Sequence, residues 1–235
     1  MTWPTKTDFV DGDVLTAAQV NNIGTNVNIF DPTSATTGQV WIADGAGSGS
    51  FQPVAGGLPI ATPTSTANTG GTVTIESNGV VSITGSCTSV SLNGVFTSTY
   101  KNYLVQFYSL TASAQTAPRL RLRASGTDNT TASSYQRQWA IFTNVANSYQ
   151  ASDNHWELPD IYATYNSAYT MYFYEPQVAV RTAIVGQHTT HDGSNARSSA
   201  SGLHHTQSVA YDGFTFYTIA GPNFNGFVVV YGLTS

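Results

Sequence analysis

From Gly71 to the C-terminus the chain is patterned in twos, and that pattern constrains it more than any other feature. Thr72–Glu76 alternates apolar and polar residues, Asn78 and Gly79 follow, and Val80–Thr84 alternates back. Alternation of this period buries one face of a strand, and Asn-Gly accepts the positive φ values of a tight hairpin turn. Further strand-like segments follow at Val90–Phe96, Tyr103–Leu110, Arg119–Arg123, Gln138–Asn144, His155–Leu158, Ala168–Glu175, Val178–Gln187, Leu203–Ser208, Phe214–Ile219 and Gly226–Tyr231. Turn residues separate them and no helical period intervenes. The expected fold is therefore all-β, with a C-terminal antiparallel β-sandwich or jelly-roll-like domain over residues 72–235. Tyr103–Leu110 and Arg119–Arg123 read as long neighbouring strands. In the second, three arginines share one face, which is expected to meet water or an acceptor surface.

The first 60 residues differ. Lys6 stands against Asp8, Asp11, Asp13, Asp31 and Asp44, whereas the remaining charges nearly cancel. A short helix is predicted over residues 14–29, where Thr16 and Gln19 have the spacing of a capping box and Asp31-Pro32 ends the segment. Val20, Ile23, Val27 and Phe30 would form its apolar seam. This fits a trimeric bundle, or equally a helix packed on its own domain. A hairpin is predicted over residues 38–53, with Trp41 in its first strand and a turn at Asp44-Gly45. Such a hairpin is marginal alone, so a partner chain would supply the missing surface. Residues 1–60 read as an attachment region, and the Pro/Thr/Ser stretch 61–71 as a linker.

Composition narrows the function classes. Only 9% of residues are Asp, Glu, Lys or Arg, and the net charge is −5. A nucleic-acid partner held by phosphate contacts is disfavoured on that balance. Thr, Ser, Asn, 13 Tyr and 21 Gly supply the polarity instead, a composition common on extracellular and virion surfaces. The single Cys87 excludes an intrachain disulfide framework and reads as a small buried strand residue. No stretch reaches the ~20 apolar residues of a membrane span, so no membrane insertion is expected. The N-terminus lacks the apolar core of a secretion signal, which fits release by assembly into a particle and lysis.

Few residues suggest chemistry. His188 with His191, and His204 with His205, would point to opposite faces of extended strands, so neither pair makes a metal site. At a threefold axis, though, one His188 would become three. Asp153, His155 and Glu157 would share a face opposite Trp156 and Leu158. They could bind a cation or serve glycoside hydrolysis, but the same spacing describes any half-buried strand. No nucleophile elbow or phosphate loop occurs. The expectation is no enzyme, no cofactor and no metal.

Three stretches, in order, resemble bacteriophage fibre and appendage proteins. Phe9–Asn22 resembles their "G-D-x-L-T-A-A-x-x-N" opening, here Gly12, Asp13, Leu15 to Ala18 and Asn21. Thr37–Gln52 resembles the shaft element "T-x-G-Q-V-L-x-x-D-G-x-G-x-x-x-W-x", with Phe51 where Trp is usual. Tyr100–Phe107, Leu120–Arg123, Tyr135 and Gly221–Gly232 resemble fibre heads, which run "Y-x-x-Y-x-V" and "L-x-L-R" and finish on "G-x-x-x-V-Y-G". The resemblance implies a homotrimer on the virion surface, docked on other virion proteins through residues 1–60, with an outward β domain. A tail-fibre or tail-tip subunit recognising a host glycan or protein is the first reading. A capsid fibre or decoration protein is the alternative, and a virion-borne glycan hydrolase the third. Turn-rich aromatic segments single out Tyr149, Tyr162, Tyr165 and Asn166 as receptor-binding candidates. Val20, Ile23, Val27, Phe30 and Trp41 are the candidates for virion attachment or the trimer seam.

Overall fold

The computed structural model describes residues 39–43, 49–53, 57–142, 146–219 and 221–233. The helix expected over 14–29, with Val20, Ile23, Val27 and Phe30, lies outside the described residues. Contacts divide the chain into two units, meeting between Gly56 and Gly57. In the first, strand β1 (Gln39–Ala43) pairs antiparallel with β2 (Gly49–Pro53), and Trp41 stands opposite Phe51 in the register. This is the hairpin the Val40–Ala43 run predicts.

Among the described residues the second unit holds fifteen strands. They begin with β3 (Ser65–Thr69), β4 (Thr72–Ile75), β5 (Val81–Cys87), β6 (Ser89–Asn93) and β7 (Asn102–Ala112). Next come β8 (Arg119–Ala124), β9 (Thr127–Asp128), β10 (Tyr135–Ile141), β11 (Ala146–Asp153) and β12 (Trp156–Glu157). The last are β13 (Ser167–Tyr174), β14 (Arg181–His191), β15 (Ala196–Ser208), β16 (Gly213–Tyr217) and β17 (Phe224–Leu233). No helix occurs among the described residues. A nine-stranded sheet runs β11-β10-β15-β14-β13-β7-β17-β5-β4, and a six-stranded branch of pairings links β12, β8, β16, β6 and β3, with β9 on β8. Every strand pair is antiparallel, and the two sheets pack face to face as a sandwich.

The period of two does the packing. Along β13, Ser167, Tyr169, Met171 and Phe173 are buried, while Thr170, Tyr172 and Tyr174 are not. Phe214 and Phe216 of the six-stranded sheet meet Phe107, Tyr169, Phe173 and Phe224 of the other. Their ring centroids lie 4.5–6.2 Å apart. Each such side chain contributes roughly 1.5–3 kcal/mol by leaving water. Cys87 is fully buried, its Sγ 3.1 Å from the Gly70 carbonyl, and burial raises its thiol pKa. The β4–β5 hairpin closes as its sequence predicts. Gly79 (φ 81°) donates to the Glu76 carbonyl at 2.9 Å and Val80 N–H to Asn78 Oδ1 at 3.1 Å.

Four expectations need correction. The stretch 61–71 is no linker: Ala61 N–H bonds the Val230 carbonyl at 2.8 Å, and Ser65–Thr69 is the edge strand β3, paired with β6. Its Thr, Ser and Asn side chains are mostly exposed, and backbone bonds to a distant strand hold it, which composition does not reveal. The unit accordingly begins at Gly57, not residue 72. Strands β7 and β8 are not neighbours, because residues 113–118 cross from one sheet to the other. Tyr149 lies on strand β11, opposite Gln138 of β10, instead of in a turn. On the arginine face of β8 the acceptor alternative holds at Arg123, which is buried on Asp128, Asn93 and Thr215.

Candidate functional site

Two regions gather polar side chains with aromatic rings. The first surrounds the Asp153–Glu157 segment. Glu157 Oε1 lies 3.0 Å from Arg137 Nη2, and its Oε2 3.6 Å from Arg119 Nη2. His155 Nδ1 lies 2.9 Å from Asp153 Oδ1 and 2.8 Å from Asn154 Oδ1. Arg121 donates to the Asn154 carbonyl at 3.0 Å and lies 4.9 Å from the Tyr217 ring. Trp156 and Leu158 are in the core, as the alternation predicts. The facing trio is more enclosed than expected: His155 is buried, while Asp153 and Glu157 are half-buried. Burial, with the Arg119 charge second, lowers the His155 pKa to about 4. An acid–base pair for hydrolysis needs a carboxyl free to exchange protons with substrate. Here Glu157 is clasped by two guanidiniums, and Asp153 lies in hydrogen-bond reach of a His155 that is neutral at neutral pH, so both carboxylates are engaged within the cluster.

The second region is the loop 158–166 against the β14–β15 hairpin. The loop is tied down along its first half. Ile161 and Thr116 exchange backbone bonds at 2.9 and 3.0 Å, Gln115 Nε2 donates to Asp160 Oδ2 at 2.8 Å, and the Tyr169 hydroxyl donates to the Pro159 carbonyl. On the hairpin side, Asp192 Oδ1 accepts from the Ser194 and Asn195 amides at 2.9 and 2.8 Å, and its Oδ2 from Arg197 Nε at 2.5 Å. Those bonds hold the Asp192 carboxyl well below the usual carboxylate range. Two aromatic contacts join loop and hairpin: Arg197 lies 5.6 Å from the Tyr162 ring centroid, and Tyr165 lies 4.8 Å from His191. Burial raises the Tyr162 pKa.

Between them is a cavity of about 30 Å³ lined by Ile141, Pro159, Asp160, Tyr162, His188, Thr190, Arg197, Ser198 and Ser199. His188 stacks on Tyr169 at 4.4 Å, and its Nδ1 is 3.4 Å from Ser199 Oγ. Its Nε2 is buried with no hydrogen-bond partner among the described residues. Burial lowers its pKa to about 4, so it is neutral at neutral pH. A neutral imidazole beside Asp160, Arg197 and hydroxyls can accept or donate to a small polar group. No group of three or more His, Cys, Asp or Glu side chains able to hold a metal ion occurs among the described residues.

Of the sequence candidates, Tyr162 and Tyr165 come together here, with Asn166 exposed beside them. Tyr149 belongs to β11, at the edge of the nine-stranded sheet. Trp41 is on the separate hairpin unit. His204 and His205 do diverge, His205 being buried among Tyr135, Trp156 and Tyr211. Sequence reasoning passed over Arg197, Asp160 and Ser199. The phase of β14 alone held a signal, since His188 shares its face with Ile184 and Thr190.

No protein-family model matches the chain, and no curated protein matches it.

Proposed function

We propose that the chain is a structural subunit of a bacteriophage particle, a trimeric tail-fibre or tail-tip protein. In this reading residues 1–60 anchor it to other virion proteins, and the sandwich faces the host surface. The helix over 14–29 and its seam of Val20, Ile23, Val27 and Phe30 belong to the same proposal, as does Trp41. The carrying observation is the succession along one chain of a two-stranded hairpin unit and an antiparallel sandwich. The fibre-like motifs fall in that same order. Tyr162, Tyr165 and Asn166 cluster at one loop end of the sandwich, where adaptable hydrogen bonding meets aromatic surface. Binding, not catalysis, is the work such a surface suits, because Glu157, the carboxylate best placed beside His155 for acid–base work, is held by two arginines.

Immunogold microscopy of particles, with antibody against residues 57–235, tests this. Label at the tail tip or along fibres supports the reading. Label over the head makes the chain a capsid fibre or decoration protein. No label on any particle overturns both. Solution mass is the companion test: three times 25.0 kDa is expected, and a monomer at micromolar concentration overturns the trimer.

A further inference from the structure

A second concavity lies on the outward face of the nine-stranded sheet. It is a cleft of about 320 Å³ lined by Phe142, Ala168, Thr170, Gln187, His188, Thr189, Ser198 and Ser199. The register builds it: Ala168 stands opposite Thr189, Thr170 opposite Gln187, and the Phe142 amide donates to the Ser198 carbonyl. Its size falls in the range of small-ligand sites, about 300–1,000 Å³.

Three properties of the lining converge on one ligand chemistry. None of the lining side chains is an acid, lysine or arginine. The side chains of Thr170, Gln187, Thr189 and Ser198 make no hydrogen bond among the described residues, so one amide and three hydroxyls remain available. Phe142 keeps 69% of its surface in water, an exposed ring at the rim. The next register pair along the same face is Tyr172 opposite Val185, 40% and 53% exposed, which continues the apolar platform. A charged ligand would lose hydration here and find no counter-charge. A flat ring with many uncharged hydroxyls would stack on Phe142 and exchange its water bonds for those of Gln187 and the hydroxyls.

We propose that this cleft binds an uncharged saccharide unit, Phe142 stacking on the sugar ring and Gln187 with Thr170 reading its hydroxyls. The proposal rests on the host-surface reading and names its ligand class. Saturation-transfer NMR and calorimetry on the full chain test it, with glucose, galactose and N-acetylglucosamine as neutral probes and glucuronic and N-acetylneuraminic acids as charged ones. Transfer from a neutral sugar, weakened at least tenfold by Phe142→Ala and Gln187→Ala, is the expected result. Both residues are exposed, so the variants should fold, and an unchanged melting temperature checks that. Transfer from the acids alone, from no sugar, or transfer indifferent to both substitutions would overturn the proposal. Adsorption to host cells separates the two readings. Adsorption that survives periodate oxidation of surface sugars and both substitutions keeps the host-surface reading and overturns the saccharide. Absence of adsorption by the wild-type chain overturns the host-surface reading, while the NMR result still judges the cleft.

Discussion

Strands β14 and β15 show two faces one residue apart in phase, and the two faces behave as different materials. Inward, His188, Thr190, Arg197 and Ser199 line a cavity of about 30 Å³, in contact with Tyr162 and Tyr169 and roofed by the loop 158–166. Outward, Gln187, Thr189 and Ser198 line an open cleft with no charge. The inner face encloses its polar groups and pairs several of them, as Ser167 with Thr190 at 2.6 Å, although His188 Nε2 finds no partner among the described residues; the outer face leaves them to water or a ligand. Composition alone does not separate them, since both are rich in Ser and Thr. Enclosure does, because an unmatched polar group costs free energy only where water is shut out.

The largest way to break this contrast is on the inside. Tyr169→Ala removes a fully buried ring from between His188 and Phe216 and should cost roughly 3–5 kcal/mol in urea unfolding. A cost under about 1 kcal/mol would show that the inner face is not packed as described.

Acid should act on the same face. His188 is held neutral, with a folded pKa near 4 against an ordinary value of 6.5. A depressed pKa means the unfolded chain binds the proton first. The contribution is therefore complete above about pH 6.5 and drains away as pH falls towards 4. For His188 that is roughly 2–3 kcal/mol, and His155 and His205, also lowered to about 4, act with the same sign. Unfolding midpoints measured from pH 7 to pH 4 should fall steadily. A flat profile would mean that these imidazoles are not enclosed.

The ion network near β12 sharpens the comparison at smaller scale. Glu157→Ala leaves Arg119 and Arg137 without their shared carboxylate and should destabilise by roughly 1–2 kcal/mol, less than a fully buried pair because water reaches part of it. Gln187→Ala, on the outer face, should change stability by less than about 0.5 kcal/mol. A larger loss there would mean Gln187 is structural and would weaken the case for the cleft.

The sandwich was readable because period-two alternation persists through β4, β5, β13 and β14, and because Asn78-Gly79 marks a turn between two alternating runs. Trp156 and Leu158 were assigned to the core on the same reasoning. Strand β3 was missed because its residues are those of a linker, and only the ladder to β6 makes them a strand. Likewise β7 and β8 are adjacent in sequence yet sit in different sheets. Of the candidate site, Tyr162 and Tyr165 were visible as aromatics in a turn-rich segment. Their partners Arg197 and His191 were not, since the register of β14 with β15 and the path of the loop bring them together.

By itself, then, the sequence determined that the region from Gly71 onward is built from strands, which residues of each strand share a face, and where the tightest turns fall. Those are local properties, set by side-chain alternation and backbone preference within a few residues. Only the tertiary structure decided which strands became neighbours, which face of β14 was roofed, and that Glu157 would be clasped by arginines from two other strands. Pairings between residues far apart in sequence depend on how all the apolar faces are buried at once, and no single segment carries that information.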